Sequence, residues 1–243
     1  MNRLKATMLC TFSFARGRLI GLVVIQMIMM ALTLIFSEVI KRFDVLVCAD
    51  ILAVIHLFVF GIVFYGRHNA FCISNAVSLK YRIHSFSAAA GGMCLIAALL
   101  TSVIYGYTGA STNYSFAEIY RYIIIGGAAQ QNILIASFFE NLFYYISAVS
   151  FGSLIGSLRS AKGDGFALLM LAVSAAAVFG FSFLGRYFVT PAVWLCVIPA
   201  VMLQSRFTAI LLYIFIAAAS LFAAYLLSYG VQSGTRRKKH EAK

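Results

Sequence analysis

The sequence predicts an all-α, polytopic membrane protein with six transmembrane helices and both termini cytoplasmic, forming a single transmembrane domain over residues 1–243. Three observations predict it. The chain is 63% apolar and only 11% charged, with a mean hydropathy of +0.95. Soluble chains run to roughly 45–50% apolar and about 25% charged. Six stretches approach or exceed the roughly 20 apolar residues that cross a bilayer core of about 30 Å. Basic residues alternate between dense and sparse at successive ends of these stretches, as expected where Lys and Arg are retained on the cytoplasmic side.

The N-terminal residues 1–18 mix Leu4, Met8, Phe12 and Phe14 with Arg3, Lys5 and Arg16. This pattern predicts an amphipathic helix on the inner leaflet. It has no compact apolar core followed by a small-residue cleavage site, so it reads as a retained segment and not as a signal peptide. The six crossings are Leu19–Ser37, Val45–Tyr65, Phe86–Thr108, Ile133–Leu158, Phe166–Gly185 and Phe207–Tyr229. Residues 66–85 between the second and third form a long cytoplasmic loop able to carry a short surface helix. Arg159–Gly165 is a short glycine-containing loop, and residues 230–243 are a basic cytoplasmic tail. The uncharged stretch 187–205 holds Pro191 and Pro199, each of which removes a helix hydrogen bond and disfavours helix just before it. It reads as an outer re-entrant hairpin between helices five and six, because a seventh crossing would place the Arg236–Lys239 cluster outside.

On this topology 14 of the 19 basic residues fall on the cytoplasmic side. The net charge of +12 is therefore an orientation signal, and no nucleic-acid partner is implied. The five cysteines are scattered without a C-x-x-C pair and predict neither a metal site nor a disulfide framework. No G-x-x-x-x-G-K-[ST] phosphate loop and no H-E-x-x-H zinc helix occurs. No set of catalytic residues converges, and an enzyme is not expected.

Ionisable and amide side chains inside apolar runs are costly in lipid and mark candidate functional positions. They are Asp50 and His56 in the second crossing and Glu140 with Asn141 in the fourth. Two readings stand for them: a translocation path or proton relay, and hydrogen bonds between helices. Small residues four apart, at Gly152 and Gly156 and again at Ala176 and Gly180, suit close helix packing within the chain or between copies.

The layout resembles the permease subunits of bacterial type II ABC exporters. It shares the amphipathic lead-in, the six crossings, the substantial first cytoplasmic loop and the outer hairpin. Phe71-Cys72-Ile73-Ser74-Asn75-Ala76-Val77-Ser78-Leu79-Lys80 is similar to a loop of Gram-positive permeases, with asparagine, glycine, an apolar residue, serine, arginine and lysine in succession. Asn75, Val77, Ser78 and Lys80 fit, whereas Ala76 and Leu79 replace the glycine and the arginine. Phe151–Gly156, running into Arg159 and Lys162, is similar to the exit of the family's fourth helix.

The resemblance implies an ATP-driven exporter of the bacterial plasma membrane whose separate ABC ATPase subunit carries ATP and Mg. It implies that Asn75, Val77, Ser78, Lys80 and Arg82, with Arg159 and Lys162 as a second contact, couple to that ATPase. It also implies a second permease copy or a paralogue beside the chain, among membrane lipids. A stand-alone secondary transporter and a non-transporting membrane sensor or assembly protein are the other functional classes open to such a sequence. The substrate is not written in it.

Overall fold

The computed structural model describes residues 3–35, 51–108, 134–174 and 206–241. They form helices α1 (Arg3–Ile35), α2 (Ile51–Ser74), α3 (Leu79–Thr108), α4 (Leu134–Lys162), α5 (Asp164–Ser174) and α6 (Arg206–Glu241). There is no strand among the described residues. Five of these helices are long and apolar enough to cross a membrane: Ala6–Leu32, Leu52–Ser74, Leu79–Ile104, Phe138–Lys162 and Phe207–Gly230. The expected fifth crossing is described only as α5, and the expected outer hairpin at residues 187–205 lies outside the described residues.

The organising contact is between α2 and α4, which meet backbone to backbone. A Cβ placed on Gly152 would overlap the Phe58 carbonyl, and one on Gly61 would overlap the Val149 carbonyl. At Gly156 a Cβ would come within 2.6 Å of the Ile62 carbonyl oxygen. Lipid tails are as apolar as leucine, so helix association in a bilayer relies on dispersion at close range, and small residues permit that range. The Phe58 and Phe151 rings stack beside this contact with centroids 6.0 Å apart.

Helix α4 also packs on α3 and α6, and α1 lies against α2 and α3. The main core cluster joins Leu22 of α1, Leu57 and Phe60 of α2, Phe86 and Met93 of α3, Tyr145 of α4 and Ala224 of α6. Outside this core every long helix carries exposed large apolar side chains, among them Ile20, Val59, Leu99, Phe139 and Phe215. A water-soluble surface would not tolerate so many, whereas acyl chains cover them at no cost.

Packing pairs also give the helix directions. Phe14 meets Phe71, so α1 and α2 are antiparallel with the first turns of α1 beside the last turns of α2. Gly61 meets Gly152, and a Cβ on Gly66 would lie 3.7 Å from Ser160 Oγ, so α2 and α4 run in the same direction. Thr101 meets Tyr145, so α3 and α4 are antiparallel. Tyr65 meets Ser228, which brings the second half of α6 to the same end. The start of α1, the α2–α3 turn and the α4–α5 junction therefore share one end of the bundle. Arg16, Arg18, Arg67, Lys80, Arg159 and Lys162 gather there, and this end is strongly basic.

Three expectations change. The lead-in at residues 1–18 is not a separate surface helix, because α1 continues unbroken from Arg3 to Ile35. With 33 residues it is about 50 Å long, well beyond a bilayer core of about 30 Å. The 20-residue loop expected at 66–85 contracts to a four-residue turn, Asn75–Ser78, between α2 and α3. Polar residues there do not interrupt the helices, since His68 and Asn69 on α2 are buried and bonded to Ser85 and Arg82 on α3. The α4–α5 loop reduces to Gly163, whose φ of 89° suits only glycine. Helix α6 extends into the expected basic tail, as far as Glu241. At the α2–α3 hairpin the helices run past the apolar stretch that marks a crossing because their polar ends bond to one another.

Gly152→Ala should lower the thermal midpoint of the detergent-solubilised protein by the equivalent of about 1–3 kcal/mol or more, since the added methyl meets backbone that cannot rotate away. Gly92→Ala is the matched control: its Cβ meets nothing within 4 Å, and the higher helix propensity of alanine should leave stability unchanged or raise it by up to about 1 kcal/mol. Equal effects of the two substitutions would contradict the close α2–α4 contact.

Candidate functional site

Two sets of polar side chains stand out, one at the α2–α3 turn on the basic end and one inside the bundle. The turn closes α2 with paired hydrogen bonds. Val77 N–H donates to the Cys72 carbonyl at 2.8 Å, and Ala76 N–H donates to the Ile73 carbonyl at 3.1 Å. This is the six-to-one and five-to-two pattern of a Schellman cap, whose pivotal residue sits in the left-handed region. That residue is Ala76, at φ 52°. It occupies the position at which the resembled permease loop carries glycine. A residue with a Cβ costs roughly 1–2 kcal/mol there.

Around this cap the expected coupling residues separate into three environments. Ser78 and Lys80 are exposed on the tip. Ser78 begins α3, its carbonyl accepting the Arg82 N–H at 3.1 Å, a position that favours serine. Asn75 is also exposed, but its Nδ2 donates to the Phe71 carbonyl at 2.9 Å, so its amide caps its own helix. Val77 is half-buried. Arg82 is only 3% exposed and donates to Asn69 Oδ1. This corrects the expectation for Arg82: it locks the two helices of the hairpin together and is not presented to a partner.

Behind the tip, the Ser85 hydroxyl donates to the Arg82 carbonyl at 3.0 Å and accepts from His68 Nε2 at 3.2 Å. His68 therefore carries its proton on Nε2, and its ring stacks on Phe64. At the other junction Arg159 makes a two-pronged pair with Asp164, Nε to Oδ1 at 2.6 Å and Nη2 to Oδ2 at 3.3 Å. Both side chains are mostly exposed, so this pair contributes little stability. Asp164 also places negative charge at the N-terminus of α5, where the helix dipole favours it. Lys162 is exposed one turn away.

Inside the bundle, Gln26 of α1 donates to Thr101 Oγ1 of α3 at 3.2 Å, and Thr101 in turn bonds Tyr145 OH of α4 at 2.8 Å. All three are 1% exposed or less. This row was not anticipated, although an amide within the apolar run Leu19–Ser37 was the available signal. Glu140 and Asn141 are buried on α4 beside it, and Asn141 shares the Tyr145 face one turn away. Gln26 Oε1 and Asn141 Nδ2 have no hydrogen-bond partner among the described residues.

His56 is elsewhere: its Nε2–H donates to the Arg18 carbonyl at 3.0 Å, joining α2 to α1. Measured from the Gly61–Gly152 contact, Glu140 and His56 differ in level by seven residues, or about 10 Å. The structure therefore does not bring them together as a relay. Gly152 and Gly156 lie in the α2–α4 contact. Asp50, Ala176 and Gly180 lie outside the described residues. Among the described residues no three His, Cys, Asp or Glu side chains gather as a metal-ligand set.

Ala76→Gly should raise stability by about 0.5–1 kcal/mol, the left-handed cost less the entropy that glycine adds to the unfolded chain. A thermal midpoint that falls would contradict the cap. Thr101→Val keeps the shape and removes the shared oxygen, so it should destabilise by roughly 0.6–1.7 kcal/mol. A double-mutant cycle with Tyr145→Phe should show that the two losses are not additive.

Comparison of the chain with protein-family models, curated proteins and solved structures found no match. By the length and apolarity of its helices, the chain is a multi-pass helical membrane protein.

Proposed function

We propose that this chain is the permease subunit of an ATP-driven exporter of the type II ABC kind in the bacterial cytoplasmic membrane. It would line the translocation pathway with a second permease copy or a paralogue. The observation that carries this reading is the tip of the α2–α3 hairpin. It projects from the basic end with Ser78 and Lys80 free on its surface, and its Ala76 holds the left-handed conformation where the resembled loop has glycine. A separate ATPase would seat this tip in a groove, and carboxylates there would pair with Lys80, adding orientation more than affinity. Lys162, on the same end, offers a second contact.

The hairpin is built to transmit such a push. α2 and α3 run without interruption from the tip into the core, and the Arg82–Asn69 and Ser85–His68 bonds keep them together. α2 is seated on α4 at the glycines, so movement of the tip passes to α4 and to the buried Gln26–Thr101–Tyr145 row. Closure of the ATPase on its nucleotide supplies the energy, and the permease contributes the lever and the polar interior.

Affinity purification of the tagged full chain from its native membranes should recover an ABC ATPase. The combined changes Asn75→Ala, Ser78→Asn and Lys80→Glu should reduce that recovery roughly tenfold or more while leaving the thermal midpoint close to the original, because asparagine caps a helix as well as serine, Lys80 is exposed and Asn75 only supplements a backbone cap. A chain that purifies without an ATPase, or that keeps it after the three changes, would overturn the reading. Proton-driven transport by the chain alone in vesicles would favour a secondary transporter instead.

A further inference from the structure

At the basic end, α1 and α2 enclose a cleft of about 90 Å³ lined by Phe14, Arg18, Val63, Phe64, Arg67 and His68. Arg18 and Arg67 are both exposed, and neither guanidinium has a side-chain partner among the described residues. The two described acidic side chains are unavailable to them: Glu140 is buried in α4, and Asp164 is engaged by Arg159. His68 contributes its ring as a wall, since its Nε2 proton is committed to Ser85. The cleft therefore presents two guanidinium groups, neutralised by no described side chain, above aromatic and aliphatic walls.

Its position in the bundle is as telling as its composition. Arg18 directly precedes the longer uncharged stretch of α1, which starts at Leu19, and Arg67 follows the Val45–Tyr65 stretch of α2 by two residues. Arg159, close to the same level through the Gly66–Ser160 approach, follows the uncharged end of α4. Basic side chains gathered at one level suit the boundary between acyl chains and headgroups. On the membrane side of it lie exposed apolar residues such as Ile20 and Val59, and at the mouth of the cleft Phe14 and Phe71 pack edge to face with centroids 5.6 Å apart. The backbone of Arg18 is anchored by the His56 bond to its carbonyl, which sets the rotation of α1 toward the cleft.

We infer that this cleft is a binding site for the phosphodiester of an anionic phospholipid, held between Arg18 and Arg67 with its glycerol and acyl chains against Phe14, Val63 and Phe64. Guanidinium groups suit a phosphate because their planar N–H pairs match its oxygens. The apolar walls and the level of the site select a lipid over a soluble anion. A bound lipid would bridge α1 and α2 on the face where His56 already joins them.

The test uses the full chain in neutral detergent, titrated with phosphatidylglycerol, with phosphatidylcholine or with inorganic phosphate, and read by native mass spectrometry and thermal midpoint. Phosphatidylglycerol should be retained in preference to phosphatidylcholine and should raise the midpoint, whereas inorganic phosphate should do neither. Arg18→Gln and Arg67→Gln should each weaken the phosphatidylglycerol preference roughly fivefold, and the pair should abolish it. Arg16→Gln, on the α1 face that looks toward α3, should leave it intact. Should the double Gln variant fail to fold, Arg18→Lys with Arg67→Lys replaces it, with the preference expected to weaken but persist as charge without the fork. Equal retention of the two lipids by the original chain, an undiminished preference in the Gln variants, or the same stabilisation by inorganic phosphate would each overturn the assignment.

Discussion

The backbone contact between α2 and α4 is the constraint on which the rest of the bundle depends. Three glycines remove the side chains that would hold these helices apart, and the carbonyls of Phe58, Val149 and Ile62 occupy the space so released. In water, apolar burial would draw helices together from larger separations. In lipid that force is absent, and only closeness and hydrogen bonds distinguish a helix neighbour from an acyl chain. Once α4 is seated on α2, its other faces are committed: Tyr145 toward Thr101 on α3, and Tyr144 toward Tyr213 on α6 with ring centroids 5.2 Å apart. Helix α1, seated on α2 and α3, is then tied in by single polar bonds from His56 and from Gln26.

Polar residues divide by what they meet. Serines along α4 return their hydroxyls to their own helix, as Ser150, Ser153 and Ser157 do, and this keeps them silent within the apolar interior. Gln26, Thr101 and Tyr145 instead bond across helices. The basic end shows the same division: Arg82 is spent inside the hairpin, Arg159 is matched by Asp164, and Arg18, Arg67, Lys80 and Lys162 are exposed. A positive charge at this end thus meets three distinct environments, and position relative to neighbouring helices separates them.

Much of the fold was legible in one dimension. The spans around residues 19–37, 45–65, 86–108, 133–158 and 207–229 each fall largely within a helix that is long and apolar enough to cross, because bilayer thickness imposes a length that hydropathy reports. The ends were not legible. A reader of the sequence sees His68, Asn69, Arg82 and Ser85 as loop material, since polar residues near a membrane surface ordinarily face water. Here they face one another across two helices, and both helices extend through them. Likewise the glycine spacing at 152 and 156 announced a close contact without naming Gly61 as its counterpart.

The sequence by itself determined that this chain lies in a membrane, where most of its crossings fall and which ends carry the basic residues. These properties follow from free energies of transfer that act residue by residue. Only the tertiary structure decided which polar side chains are spent on neighbouring helices and which remain presented. Arg82 and Lys80 are two residues apart in sequence, yet one is sealed in the hairpin and the other is exposed on it. Pairing across helices depends on register and rotation, and these are set by the glycine contact between α2 and α4, which couples residues about 90 positions apart.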